Sequence, residues 1–221
     1  QAPTSLLKGM KMYAKSSMKY FKLLMLFLLI IINYVYAKEE GVINVNLSTS
    51  LGNIKVELYT DEAPITVNNF LNYADGKYFD NTSFYRTVRY GNDNGNPKIE
   101  VIQGGIGDGQ KAFPMIKHES TRITGIKHLD GTLSMSRGAI NTATSDFFIC
   151  IGDHEGLDYG GLRNSDGQGF AAFGRVIEGM DIVRAIHQAP SDKETENSYV
   201  KGQLINEPIK IISITRFKHN L

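Results

Sequence analysis

Cysteine occurs once, at Cys150, so no internal disulfide can cross-link this chain of 221 residues, and its fold must rest on a hydrophobic core. Tryptophan is absent. The five histidines, His118, His128, His154, His187 and His219, show no metal-ligand spacing, so no metal site is expected. The chain contains no internal repeat, coiled-coil pattern or low-complexity tract, which excludes solenoid and fibrous architectures. Charge of either sign is not in excess, with 24 Lys and Arg against 23 Asp and Glu. Lys8, Lys11, Lys15, Lys19 and Lys22 all lie in the first 37 residues, where there is no acidic residue. Beyond them acidic residues outnumber basic ones, so no basic patch argues for a nucleic-acid partner.

The N-terminus has a pattern of its own. Met18-Lys19-Tyr20-Phe21-Lys22 is basic, Leu23 to Ile32 is an unbroken apolar run, and Val35-Tyr36-Ala37 ends in a small residue. These parts read as a secretory signal peptide over 18–37, cleaved after Ala37, with 1–17 an upstream segment that fits no signal pattern. The apolar run is shorter than the ~20 residues a spanning helix needs, and a retained anchor is the lesser alternative. The expectation is a periplasmic or secreted protein whose folded part is 38–221, with no stable membrane insertion after cleavage.

That part is rich in turn residues; the chain has 22 glycines. Val42 to Leu47 and Ile54 to Tyr59 alternate in polarity around a turn at Ser48 to Asn53, which predicts a hairpin. Further strands are predicted at Ser83 to Val88, Ile99 to Ile102, Gly131 to Met135, Phe147 to Ile151, Phe170 to Ile177 and Ile209 to Arg216. Asp61-Glu62-Ala63-Pro64 followed by Ile65, Val67, Phe70, Leu71 and Ala74 predicts an amphipathic helix ending at Gly76. Met180 to His187 reads as a second helix. About eight short strands with one early and one late helix imply a mainly β fold, a closed antiparallel barrel with a helix over each end. Asn92-Asp93-Asn94-Gly95 has the look of a calcium loop, but no glutamate stands at the required spacing, so a turn is expected.

Five segments, in order, carry a resemblance to the cyclophilin family. They are Phe84-Tyr85-Arg86, Val101-Ile102-Gln103-Gly104-Gly105, Gly131-Thr132-Leu133-Ser134-Met135, Asn141 to Ile149 with its Phe147-Phe148 pair, and Phe173-Gly174-Arg175-Val176-Ile177-Glu178-Gly179-Met180. The resemblance extends over most of 42–217. It implies an eight-stranded barrel capped by two α-helices, prolyl cis/trans isomerase activity on proline-containing polypeptides, and no cofactor. A monomer is expected. A non-catalytic proline-peptide-binding chaperone module on the same barrel is the alternative.

The chemistry of such a site is simple to state. Amide resonance sets a barrier of ~18–20 kcal/mol to rotation about an X-Pro bond. In the twisted transition state the proline nitrogen regains its lone pair, and a fixed donor aimed at it favours that state over the planar ones. By resemblance Arg86 is that donor, and its planar, permanently charged guanidinium suits the task. Gln103 is expected to hold both the arginine and the substrate carbonyl. Phe148 is expected to floor an apolar pocket for the proline ring, with Phe147 in the core because adjacent strand residues face opposite ways. Val101 and Leu157 match pocket-lining positions, and Ser136 matches a small residue shaping the floor.

Departures from the family pattern are also legible. Glu100 stands where an aromatic residue is common, Asp146 where Gln is usual, Gly156 where Trp often precedes Leu-Asp, and Phe170 where His is usual. The loop Arg89 to Lys98 is longer than usual, and Tyr159 to Gln168 looks inserted. A carboxylate at position 100, placed at the pocket rim, would favour peptides with Lys or Arg beside the proline.

Overall fold

The structure is a computed structural model that describes residues 21–28, 41–107 and 113–217. Residues 1–41 and 42–221 form two separate units. In the first, 21–28 is helical; the rest of the expected signal segment lies outside the described residues. Among the described residues no helix is long and apolar enough to cross a membrane.

The second unit is a barrel. Its strands are β1 (Val42–Thr49), β2 (Gly52–Tyr59), β3 (Thr82–Val88), β4 (Val101–Gly105), β5 (Thr132–Met135), β6 (Phe147–Cys150), β7 (Ala171–Glu178) and β8 (Leu204–Phe217). They close in the order β1-β2-β7-β5-β6-β4-β3-β8, every neighbour antiparallel. Closure removes the exposed edges that an open sheet would present. The β1–β2 hairpin forms as its alternation predicts, with Val45 opposite Val56 and Leu47 opposite Ile54, all fully buried.

Among the described residues three α-helices accompany the barrel: α1 (Pro64–Asp75), the single turn α2 (Thr121–Thr124) and α3 (Met180–His187). Val67, Phe70, Leu71 and Ala74 of α1, and Val183 and Ile186 of α3, are buried in the barrel's main core with Leu58, Phe84, Ile102, Phe147 and Phe173. Asp61 and Glu62 do not cap α1. The carboxylate of Glu119, more than fifty residues away, accepts from the backbone N–H of Ile65 (3.1 Å) and of Thr66 (2.8 Å), placing a buried anion at the positive end of the helix.

Strand β4 lies later in the chain than the apolar pattern of Ile99 to Ile102 implied. The N–H of Ile99 donates to the Asp93 carboxylate (2.8 Å), outside any ladder. Gly104 and Gly105 instead extend the strand opposite Phe84 and Ser83. Gly105 has φ +138°, and a Cβ there would stand 2.4 Å from an Asp146 carboxylate oxygen, so only glycine fits. The Asn92–Gly95 segment is a turn whose Asp93 is bound to an arginine, Arg163.

Candidate active site

Strand alternation separates two apolar groups. On β6, Phe147 and Ile149 belong to the main core, while Phe148 and Cys150 belong to a second, smaller cluster with Val88, Ile99, Val101 and Leu157. Phe170 packs on the edge of this cluster, its ring 5.5 Å from that of Phe148 and nearly perpendicular to it. Three of the residues expected at the site, Val101, Phe148 and Leu157, therefore meet in one cluster.

The other three, Arg86, Gln103 and Ser136, meet in a polar network beside it. Gln103 lies two residues along β4 from Val101 and directly opposite Phe148 across the β4–β6 ladder. A register shift between Phe84 and Arg86 sets both Tyr85 and Arg86 against Gln103. Arg86 donates through Nη1 to Gln103 Oε1 (2.8 Å). The Gln103 amide nitrogen donates to the Tyr85 hydroxyl (2.8 Å) and to Ser136 Oγ (3.1 Å). The Tyr85 hydroxyl in turn donates to Asp146 (2.7 Å). Burial and the Asp146 carboxylate push the Tyr85 phenol well up from its ordinary value, so it remains a donor at any physiological pH. This chain of bonds orients the Gln103 amide with its oxygen towards the arginine.

Burial lowers the pKa of the Arg86 guanidinium from its ordinary value, with Tyr199 and Tyr85 opposing the shift. A guanidinium starts so high that it stays charged regardless. Tyr199, on a 3-10 turn at Ser198–Val200, places its ring 5.3 Å from the guanidinium carbon. That turn is tethered by Asn94, whose amide nitrogen reaches the carbonyls of Ser198, Tyr199 and Lys201. No motif in the sequence pointed to Tyr199. Tyr85 was visible in the Phe84-Tyr85-Arg86 segment, but its hydroxyl's role in orienting Gln103 needed the register shift to be seen.

A second network lies behind Phe148. The imidazole of His128 stacks on the Phe148 ring, with centroids 6.0 Å apart and planes 17° apart. Its Nδ1 is 2.8 Å from Asp158 and its Nε2 2.9 Å from Ser134 Oγ. A carboxylate can only accept, so Nδ1 carries the proton and Nε2 accepts from Ser134. Burial lowers the His128 pKa, against the pull of Asp158, and keeps the ring neutral. Serine, histidine and aspartate stand at the spacing of a nucleophilic triad, but Ser134 is fully buried and no substrate can reach it. The arrangement braces the floor under Phe148.

Glu100 is not at the rim of the apolar cluster. Its neighbours Ile99 and Val101 turn into the cluster, and its carboxylate lies 3.9 Å from His187 Nε2. The two long loops are joined to each other by a buried pair: Arg163 donates through both terminal nitrogens to the two Asp93 oxygens, each at 2.7 Å. Among the described residues no group of three His, Cys, Asp or Glu side chains could hold a metal ion.

Eight antiparallel strands closed in this order, with helices burying their apolar faces in the core, define the cyclophilin-like class of barrel. The family described as cyclophilin type peptidyl-prolyl cis-trans isomerase/CLD matches residues 44–216. The chain is 34% identical over 175 residues to a peptidyl-prolyl cis-trans isomerase of Acinetobacter baylyi, covering 77% of this chain and 83% of that one. It is 37% identical over 147 residues to peptidyl-prolyl cis-trans isomerase B of Escherichia coli, covering 64% of this chain and 82% of that one. In fold it is similar to the crystal structure of a cyclophilin type peptidyl-prolyl cis-trans isomerase of Cryptosporidium parvum, with a TM-score of 0.63 at 24% identity over 81% of this chain and 99% of that one. The chain belongs to the cyclophilin-type peptidyl-prolyl cis-trans isomerase family, and its activity is isomerisation of the peptidyl-prolyl bond.

Proposed function

We propose that Arg86 is the donor that drives this isomerisation, with Gln103 holding it and the Val101–Phe148–Leu157 cluster receiving the proline ring. The observation that carries the reading is the juxtaposition of a held guanidinium and an apolar cluster on one face of β3, β4 and β6. A proline ring seated against Phe148 brings its nitrogen towards that guanidinium. No bond to the substrate is made or broken; the chain only binds the twisted amide better than the planar one. Ser136 contributes by accepting from Gln103, which keeps the amide in register.

The test is exchange NMR on a short X-Pro peptide with the full chain and its Arg86→Ala variant. Removing a charged donor aimed at a transition state costs about 2–4 kcal/mol, a loss of roughly 30- to 1,000-fold in kcat/KM. Wild-type turnover in Arg86→Ala, with an unchanged circular dichroism spectrum, would remove Arg86 from the mechanism. Peptide binding by the parent chain without faster exchange would mark a non-catalytic binding module.

The biological setting we propose is that of a bacterial, exported isomerase acting as a monomer on proline-containing segments of exported or unfolded proteins in the periplasm or outside the cell. The basic and apolar pattern of 18–37 supports export. Mass spectrometry of the chain recovered from its host should find Lys38 as the mature N-terminus. Recovery of the major form with 18–37 attached would rule out cleavage there.

A further inference from the structure

Gln203 belongs to none of the sequence motifs, yet its side chain is fully buried and aimed at Arg86. Its Oε1 accepts from Arg86 Nε (2.9 Å) and Nη2 (2.7 Å). Its Nε2 donates to the carbonyl of Asn92 (2.8 Å). That last bond fixes the amide, because only the NH2 end can face a carbonyl, so the oxygen must face the guanidinium. The backbone is held as well: the Gln203 N–H donates to the Val200 carbonyl (3.0 Å), and its carbonyl accepts from the Thr87 N–H (2.9 Å). Asn92 is itself anchored, with its amide nitrogen on the Gly202 carbonyl (2.8 Å) and its side-chain oxygen on the Arg89 N–H (2.6 Å).

The geometry gives Gln203 a task that Gln103 cannot perform alone. Gln103 touches Nη1 only, and a guanidinium held at one nitrogen can still pivot about that contact. An acceptor across the Nε–Nη2 edge removes the pivot and sets the guanidinium plane. The two glutamines so engage three of the five N–H groups, leaving one on each terminal nitrogen on the side where Tyr199 also approaches the guanidinium. Both acceptors are neutral. A carboxylate in either place would hold the arginine equally well but would offset the positive charge that the twisted amide is to feel.

We propose that Gln203 is the positioning residue of the Arg86 donor, fixing the plane of the guanidinium with a neutral acceptor so that its full charge is kept for the substrate. The inference rests on the reading of Arg86 as the donor, and the experiment separates the two. The full chain is compared with Gln203→Ala, Gln203→Glu, Arg86→Ala and the double variant Arg86→Ala/Gln203→Ala, with kcat and KM measured separately by exchange NMR on one X-Pro peptide. Gln203→Ala should lower kcat by about ten- to a hundredfold while KM moves by less than about threefold, as expected when a reacting group is misplaced. Gln203→Glu keeps the acceptor facing Arg86 but adds a negative charge and gives up the bond to the Asn92 carbonyl, and should also lower kcat. In the Arg86→Ala background, adding Gln203→Ala should change kcat by less than about twofold, because the two residues act as one unit. The Arg86 Nε–H resonance should be protected from solvent exchange in the parent and in Gln203→Glu, and lose protection in Gln203→Ala. A merely structural glutamine would not produce that signature.

Gln203→Ala and Gln203→Glu both turning over at the parent rate, while Arg86→Ala is crippled, overturns the inference and leaves the donor assignment intact. Equal losses from Gln203→Ala with and without Arg86 also overturn it. If Gln203→Ala does not fold, the isosteric Gln203→Glu decides by its kcat and its Nε–H protection. Full activity in Arg86→Ala removes the donor assignment itself, and the positioning role with it.

Discussion

Phe147 and Phe148 are adjacent in the chain and belong to different apolar clusters. Phe147 is fully buried in the main core, its ring edge-on to those of Phe70, Phe79 and Phe84 at 5.3–5.7 Å. Phe148 lies between His128 and Phe170 in the second cluster. Phe147→Ala should lower stability by about 3–5 kcal/mol, the cost of emptying a buried aromatic site. Phe148→Ala should lower kcat/KM by a larger factor than its loss of stability explains. Urea denaturation and the exchange assay, run on both variants, check the contrast.

The Asp93–Arg163 pair should matter more than a surface ion pair. Both side chains are buried, and Asp93 also accepts from the N–H groups of Gly95 (2.9 Å) and Ile99 (2.8 Å). Removing one partner leaves a buried charge unpaired, which costs about 3–5 kcal/mol. Asp93→Ala should therefore loosen the 89–98 and 156–169 loops. Hydrogen exchange should show lost protection of the Ile99 amide before that of the barrel strands.

Acid should destabilise the chain in two stages. Burial lowers the pKa of His128, His118 and His187, so below the unfolded value of about 6.5 the unfolded chain binds protons that the folded chain refuses. Stability present above that pH is lost as the pH falls through the folded values. Asp93 and Asp158 follow below about pH 4; burial raises their pKa values, but hydrogen bonds from Arg163 and His128 outweigh it and bring them down. Urea midpoints measured from pH 8 to pH 3 should fall in that order. His128→Gln should reduce the slope between about pH 6.5 and 5 without abolishing it.

Cys150 should be silent to thiol reagents in the folded chain. It is fully buried in the second cluster, and burial pushes its thiol well above the usual range. Labelling with a maleimide should proceed only at the rate of unfolding, and should become immediate in denaturant. Rapid labelling of the native chain would show that the cluster opens.

The sequence by itself determined the barrel and singled out a set of residues that the fold brings close together. Period-two alternation marked the β1–β2 hairpin and separated Phe147 from Phe148, because side-chain direction in a strand is a local property. The Pro64 start and apolar spacing marked α1, while the run from Met180 marked α3. The short motifs named Arg86, Gln103, Ser136, Val101, Phe148 and Leu157, and the fold brings these together in two adjoining groups. What only the tertiary structure decided concerns partners distant in the chain. Glu119 caps α1 from beyond two strands, Gln203 holds Arg86 from 117 residues away, and Arg163 pairs with Asp93 across two loops. Glu100 could be read from the sequence as a rim charge, but just before β4 its neighbours Ile99 and Val101 both pack into the cluster while its own carboxylate stands 3.9 Å from His187 Nε2. Hydrogen bonds between side chains carry no periodicity, so their partners become visible only when the closed barrel brings the loops together.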